Sequence, residues 1–349
     1  NFKSMEEGMQ QQDNPTFKQV FFVDNRFPRK GEIFKNADLA NTLQLISDKG
    51  RDGFYKGEVA SQIAAHLKEQ GGYLSKKDLA SHQSKWVDPV SINYRGYDVW
   101  EIPPNGQGIA VLQILNILEG FDMKSMDFGS AEHVHHFLEA KKLAYEDLAK
   151  YYGDPDFGDI DLETLLSKEY AASRRDLIKN DKAGEYHPGL SSGDHTIYLT
   201  TADKQGNMVS FIQSNSSLFG SKEVPAGLGF PLQNRGGTGF VLEEGHISQY
   251  APKKRPFHTI IPAFVTKDGQ PFISFGLMGG DMQPQGHAQM IVNLIDFGMN
   301  LQEAGDAPRI YHSGSNLWNS HVKGAGSTYL ESGFPYETIS KLMDYGHNI

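Results

Sequence analysis

From Thr196 to Ser214 the chain reads TIYLTTADKQGNMVSFIQS. Two runs rich in β-branched and aromatic residues flank Asp203-Lys204-Gln205-Gly206-Asn207, a strong hairpin turn, so the spacing predicts an antiparallel pair. A second hairpin is predicted in FHTIIPAFVTKDGQPFISFGL around Lys267-Asp268-Gly269. Neither can bury its apolar faces alone, and the rest of the sequence supplies what must cover them.

That cover is helical. NADLANTLQLISDKG puts Leu39, Leu43, Leu45 and Ile46 on roughly one face and stops at Gly50. GEVASQIAAHLKEQGG repeats the pattern with Val59, Ile63 and Leu67. SINYRGYDVWEIPP alternates as two short strands meeting at Arg95-Gly96, NGQGIAVLQILNILEG reads as a buried helix, and SAEHVHHFLEAKKLAYEDLAKYYGD as a longer amphipathic one. Pro155 to Ser192 is polar and reads as an exposed connection. QPQGHAQMIVNLIDFG predicts a helix beginning just after Gly279-Gly280. Helices around a strand-rich centre imply layered α and β structure.

Composition removes several function classes. The 349 residues carry 33 basic and 43 acidic side chains, a net charge of -10, and no basic run longer than Lys253-Lys254-Arg255, which leaves a nucleic-acid backbone little to hold. No stretch approaches the roughly 18 consecutive apolar residues of a membrane span. With no cysteine, disulfides, thiolate metal sites and cysteine nucleophiles are all excluded. The opening NFKSMEEGMQQQDNP has neither the charged nor the apolar region of a signal peptide.

In EHVHHFLEA, His135 and Glu139 at i, i+4 could share a helix face as metal ligands, but no distant ligand cluster completes the set and helix packing is the plainer reading. GGTGF and PPNGQG lack the Lys and Ser/Thr of a phosphate loop and read as turns. Thr196 has two readings. Threonine is a good strand former. As a nucleophile it needs a base, and an N-terminal threonine supplies its own α-amine, of reference pKa about 7.7–8.0. Cleavage in the loop Ser191-Ser192-Gly193-Asp194-His195 would expose that amine.

The motifs GEIFKNADLANTLQLI, DGFYKGEVA, YRGYDVWEIPPNGQG, EAKKLAYEDLAKYYGDP, TIYLTTADKQGNMVS, KRPFHTIIPAF, GLMGGDMQPQGH and ESGFP, in that order, resemble the γ-glutamyltranspeptidase family from about Gly31 to the end. The family's members are N-terminal-nucleophile hydrolases that cleave themselves before a Thr. The resemblance implies an α+β fold, a four-layer αββα sandwich, represented here by an incomplete chain. It implies cleavage between His195 and Thr196, leaving residues 1–195 as the end of a large subunit and 196–349 as a small subunit, both within one structural domain. Thr196 matches the nucleophile, Ser214 a supporting hydroxyl, and Gly279 and Gly280 the pair whose N–H groups form an oxyanion hole. A Gly-Gly before a helix is otherwise a plain turn. No metal or organic cofactor is implied, and the partners are a small γ-glutamyl or related acyl amide and an acceptor, water or an amine. The resemblance leans toward a periplasmic or extracellular setting.

The substrate-binding positions depart from the family pattern. Ser216 stands where an Asn is usual, with Asn215 adjacent; His258 and Thr259 replace a serine pair; and QNRGGTGF offers no carboxylate but contains Arg235. Arg235 could bind a substrate carboxylate, with a surface side chain as the plainer reading. The departures resemble the family's acylase-like branch. The expected activity is hydrolysis or transfer of a γ-glutamyl or related dicarboxylic acyl group; the alternatives are a glutaryl or cephalosporin-type acylase without transfer activity, or an unprocessed relative that only binds.

Overall fold

A computed structural model describes residues 9, 13–184, 195–314 and 326–349. The chain divides into two compact units, residues 1–86 with 217–234, and residues 87–216 with 235–349.

The first unit contains α1 (Pro15–Phe21), α2 (Ala37–Lys49), α3 (Arg51–Tyr55), α4 (Gly57–Glu69) and α5 (Lys76–Ser81). Side chains at the helix starts accept the otherwise orphaned N–H groups: Asn14 from Phe17 at 3.0 Å, Asn36 from Leu39 at 2.9 Å. Helix α4 buries Val59 and Ile63 as the spacing predicts, with Leu67 at the edge of the same cluster. Helix α2 differs from expectation. Leu43 is exposed, and the buried residue is Thr42, whose hydroxyl donates to the Leu228 carbonyl at 3.0 Å. A polar contact with a distant segment sets that helix's rotation, and hydrophobic periodicity does not register it.

The second unit runs through β1 (Val90–Tyr94), β2 (Tyr97–Glu101), α6 (Gly108–Leu118), α7 (Ala131–Tyr151), α8 (Leu162–Leu165), α9 (Lys168–Arg175), β3 (His195–Ala202), β4 (Met208–Ser216), α10 (Arg235–Gly239), β5 (Ala263–Lys267), β6 (Gln270–Phe275), α11 (Met282–Ile295), α12 (Leu301–Asp306), β7 (Ile310–Ser313), β8 (Ser327–Leu330) and α13 (Tyr336–Asp344). Both predicted hairpins form, and β1 joins β2 through Arg95 and Gly96 at φ 50° and 87°, the left-handed pair of a tight turn. Strands order as β1-β2-β5-β6 in one antiparallel sheet, with β3-β4 and β7-β8 as two-stranded sheets. Helix α6 is buried at every residue, as its apolar sequence requires, and packs against β1, β2, α7 and α11.

The segment expected to be an exposed connection is partly structural. Helices α8 and α9 bury Leu165 and Ala171 in the main core, and their polar groups find partners there: Lys168 Nζ donates to Asn116 Oδ1 at 2.6 Å and Tyr170 to Asp147 at 2.9 Å. Ser191 to Asp194, the expected loop, lie outside the described residues. Among the described residues no helix is long and apolar enough to cross a membrane.

Burial of imidazoles has a pH consequence. Burial, reinforced by the neighbouring His136 charge, brings His133 down to about 4, and burial with the charges of Lys142 and His135 brings His347 down to about 3. Each takes a proton near 6.5 once unfolded, so below that pH the unfolded chain binds protons that the folded chain does not. Stability is therefore constant for these groups above about pH 7 and falls between about 6.5 and 4, by up to about 1.4 kcal/mol per unit per histidine. A thermal-melting series over that window should show the fall, flattened in His133→Gln; a flat profile in the parent would contradict it.

Candidate active site

Thr196 lies at a fault in the β3–β4 ladder. His195 pairs with Ser216 and Ile197 with Gln213, so Thr196 alone faces both Ser214 and Asn215. Such a bulge bends a strand and re-aims a side chain. Thr196 is 7% exposed; its hydroxyl donates to Ser214 Oγ at 3.4 Å, and Ser214 Oγ also accepts the Ser216 N–H at 2.9 Å. Ser216 is buried and holds φ 73°, a left-handed conformation uncommon for a residue with a side chain. Nucleophile candidate, supporting hydroxyl and the residue at the Asn position are thus brought together as a hydrogen-bonded chain.

The hairpin is tied to β6. Ser210 Oγ donates to the Phe275 carbonyl at 3.4 Å, and Tyr198 lies so close to Gly276 that a Cβ there would meet its ring at 2.4 Å. Beyond the end of β6 the chain reaches Gly279 and Gly280, both at positive φ (116° and 58°), the backbone that glycine adopts without strain. The Met282 N–H bonds the Gly279 carbonyl at 3.0 Å and the Gln283 N–H the Gly280 carbonyl at 3.2 Å, turning the chain into α11. The N–H groups of Gly279 and Gly280 have no recorded acceptor among the described residues. Donors at a helix start favour negative charge.

A third group forms around Arg235 and the segment before β5. Asp154, almost wholly buried, accepts the Arg255 backbone N–H at 2.7 Å and its guanidinium at 2.6 and 3.1 Å. Burial raises the Asp154 carboxyl, and these bonds more than reverse it, so it stays ionised. The next residues are clasped by the loop before α6: Asn105 Nδ2 donates to the Pro256 carbonyl at 2.6 Å, and the His258 N–H to the Asn105 carbonyl at 3.2 Å. Residue 106 must be glycine, because a Cβ would lie 2.7 Å from His258 Cε1. Burial, then the charges of Arg235 and Arg255, brings the His258 imidazole down to about 4, so it is neutral near pH 7, and its Nδ1 has no hydrogen-bond partner among the described residues.

Arg235 departs from the surface placement that was the plainer reading. It is 8% exposed, and its Nη2 donates to Thr259 Oγ1 at 2.8 Å. A fixed positive charge, a neutral imidazole and a hydroxyl stand together, which suits an anionic group.

Two placements went unread in the sequence. Gln107, in the turn PPNGQG, bonds the backbone of both loops: its Nε2 donates to the Thr259 carbonyl at 2.8 Å and to the Gly280 carbonyl at 2.7 Å. The available signal was a polar residue set immediately before a helix that opens on the apolar run Ile109 to Leu112. His347 joins His135 and Glu139, with donor atoms within 4.8 Å of one another. Hydrogen bonds occupy them: His135 with His347 at 2.8 Å and with the Lys179 carbonyl at 2.6 Å, Glu139 with Lys142 at 2.6 Å and with the Gly184 N–H at 2.9 Å. These bonds give His135 a packing role on α7.

Residues 2–349 match the family model described as Gamma-glutamyltranspeptidase. The Glutathione hydrolase-like YwrD proenzyme of Bacillus subtilis is 40% identical over 95% of this chain and 62% of its own length. The Glutathione hydrolase proenzyme of Escherichia coli is 38% identical over 95% of this chain and 58% of its own. The crystal structure of cephalosporin acylase from Bacillus halodurans superposes with a TM-score of 0.87 at 42% identity, covering 99% of this chain and 62% of that one. The chain therefore spans about three fifths of the length of these relatives.

Proposed function

The chain belongs to the gamma-glutamyltranspeptidase family, and from that premise we propose that it is the part of a self-cleaving amide hydrolase or acyltransferase that carries the nucleophile, Thr196. The observation that carries this reading is the hydrogen-bonded chain from the Thr196 hydroxyl through Ser214 to the Ser216 N–H, set at a bulge on a half-covered strand. In maturation the Thr196 hydroxyl attacks the His195 carbonyl, the acyl group shifts from nitrogen to oxygen and so frees the Thr196 amine, and water hydrolyses the resulting ester to restore the Thr196 hydroxyl and leave His195 with a terminal carboxylate. In turnover that amine takes the hydroxyl proton as the oxygen attacks a substrate amide; the amine leaving group departs, and water or an acceptor amine resolves the acyl-enzyme. The Gly279 and Gly280 N–H groups receive the oxyanion.

Cleavage need not separate the pieces. Strand β2, before the cut, pairs with β5, after it, along four residue pairs. Ile197, Leu199, Val209 and Phe211 are exposed together on one face of the β3–β4 hairpin, each by 45% or more. A second sheet over that face would complete the αββα sandwich that we infer for the full-length protein.

The acyl donor we infer is a dicarboxylic acyl amide whose far carboxylate meets Arg235, with His258 and Thr259 beside it. The site lacks an acidic partner in QNRGGTGF for an α-ammonium group, which favours glutaryl over γ-glutamyl. Assay of the full-length protein with glutaryl and γ-glutamyl anilides, with and without a dipeptide acceptor, tests this. The expected result is a higher kcat/KM for glutaryl and little gain from the acceptor. A γ-glutamyl preference with acceptor stimulation would replace the acylase reading by a transpeptidase.

A further inference from the structure

We infer that Gln107 is a positioning residue for the reaction proposed above: one buried amide group sets the Gly279-Gly280 turn and the Arg235-Thr259 group in register with each other. The inference rests on that proposed function and deepens it.

The geometry is unusual for a residue kept for stability. Gln107 is fully buried, and its Nε2 donates to the Thr259 carbonyl at 2.8 Å and the Gly280 carbonyl at 2.7 Å. Those carbonyls lie 152 and 173 residues away in sequence. Both donor hydrogens are used, so the amide plane and the two backbones fix one another. Its Oε1 is buried with no hydrogen-bond partner among the described residues, a placement that costs stability rather than adding to it. A sequence selected for a stable core alone would put an apolar residue of similar size here. What the glutamine uniquely supplies is the bridge. The peptide on which its Gly280 bond acts follows directly on the proposed oxyanion donors, and its Thr259 bond holds the residue that accepts from Arg235.

Donors to a developing oxyanion act only when they are in place before the reaction, and a displacement of about 1 Å costs roughly a hundredfold in rate. Substrate binding through Arg235 is less sensitive, because a charged fork tolerates small shifts of its anchor. The effect should therefore fall on kcat more than on KM.

The experiment compares the full-length parent with Gln107→Met and Gln107→Glu. Methionine fills the volume without donors; the expected result is a kcat about 10- to 100-fold lower, KM within about threefold, slower self-cleavage, and a melting temperature within a few degrees of the parent. Glutamate keeps the shape but donates only when protonated, and burial raises its carboxyl. Its activity relative to the parent should rise as pH falls from 8 toward 6, a signature that loss of packing would not give. An active parent matched in kcat by Gln107→Met, or a Gln107→Glu ratio independent of pH, would overturn the inference and leave the proposed function standing. A parent that neither cleaves itself nor hydrolyses amides would overturn both. If Gln107→Met fails to fold, the Gln107→Glu pH dependence decides alone.

Discussion

Thr196→Ala should leave the full-length protein as one uncut chain with amide hydrolysis reduced about ten-thousandfold or more, while its melting temperature moves by only a few degrees. The size follows from losing the nucleophile and the cleavage that exposes its base in one substitution; groups that act as a unit lose nearly all of their effect together. The small stability change follows from the site. The hydroxyl makes a 3.4 Å bond to Ser214, at the long end of the range, and the alanine retains the β-carbon at a bulge already relaxed from regular pairing. Thr196→Ser should still cleave and turn over, since a serine presents the same hydroxyl and, once freed, the same amine. Mass spectrometry and an anilide assay read both. An uncut Thr196→Ala that hydrolyses at the parent's rate would remove Thr196 from the chemistry.

Arg235→Met should raise KM for acyl donors with a free terminal carboxylate by about 30- to 1000-fold, corresponding to about 2–4 kcal/mol for charge-assisted hydrogen bonds, with a smaller change in kcat. Amides lacking that carboxylate should be nearly unaffected, which separates loss of recognition from general damage. Arg235→Lys should recover only part of the loss, because an ammonium keeps the charge but not the planar fork. Removal of the Arg235 charge also removes one of the influences holding His258 neutral, so the imidazole should titrate at a higher pH in the methionine variant. An equal loss across all donors would mean that Arg235 only braces Thr259.

Local rules read much of the scaffold. The i, i+4, i+8 spacing of Val59, Ile63 and Leu67, the Arg95-Gly96 turn and the predominantly apolar sequence of α6 each depend on neighbours in sequence, and each formed as read. What escaped depends on distant partners. Thr42 rather than Leu43 faces inward because of a carbonyl 186 residues away. The polar run after Pro155 hides two short helices whose lysine and tyrosine are satisfied by α6 and α7. In the site, Thr196, Ser214 and the glycine pair were legible through the resemblance to the family and Arg235 as a departure from its pattern, and the structure adds hydrogen bonds joining the first two and burial of the last. Gln107 was invisible because a glutamine among glycines reads as a turn until the two backbones it bridges are seen together.

The claim on which the rest depends is that the chain cuts itself before Thr196, and intact-mass spectrometry of the purified, folded full-length protein tests it most directly. Two fragments are expected, with masses summing to the precursor plus one water, the first ending at His195 and the second beginning at Thr196. A single uncut species, in a preparation that melts cooperatively, would contradict it and make Thr196 a strand residue in a protein that binds rather than cleaves.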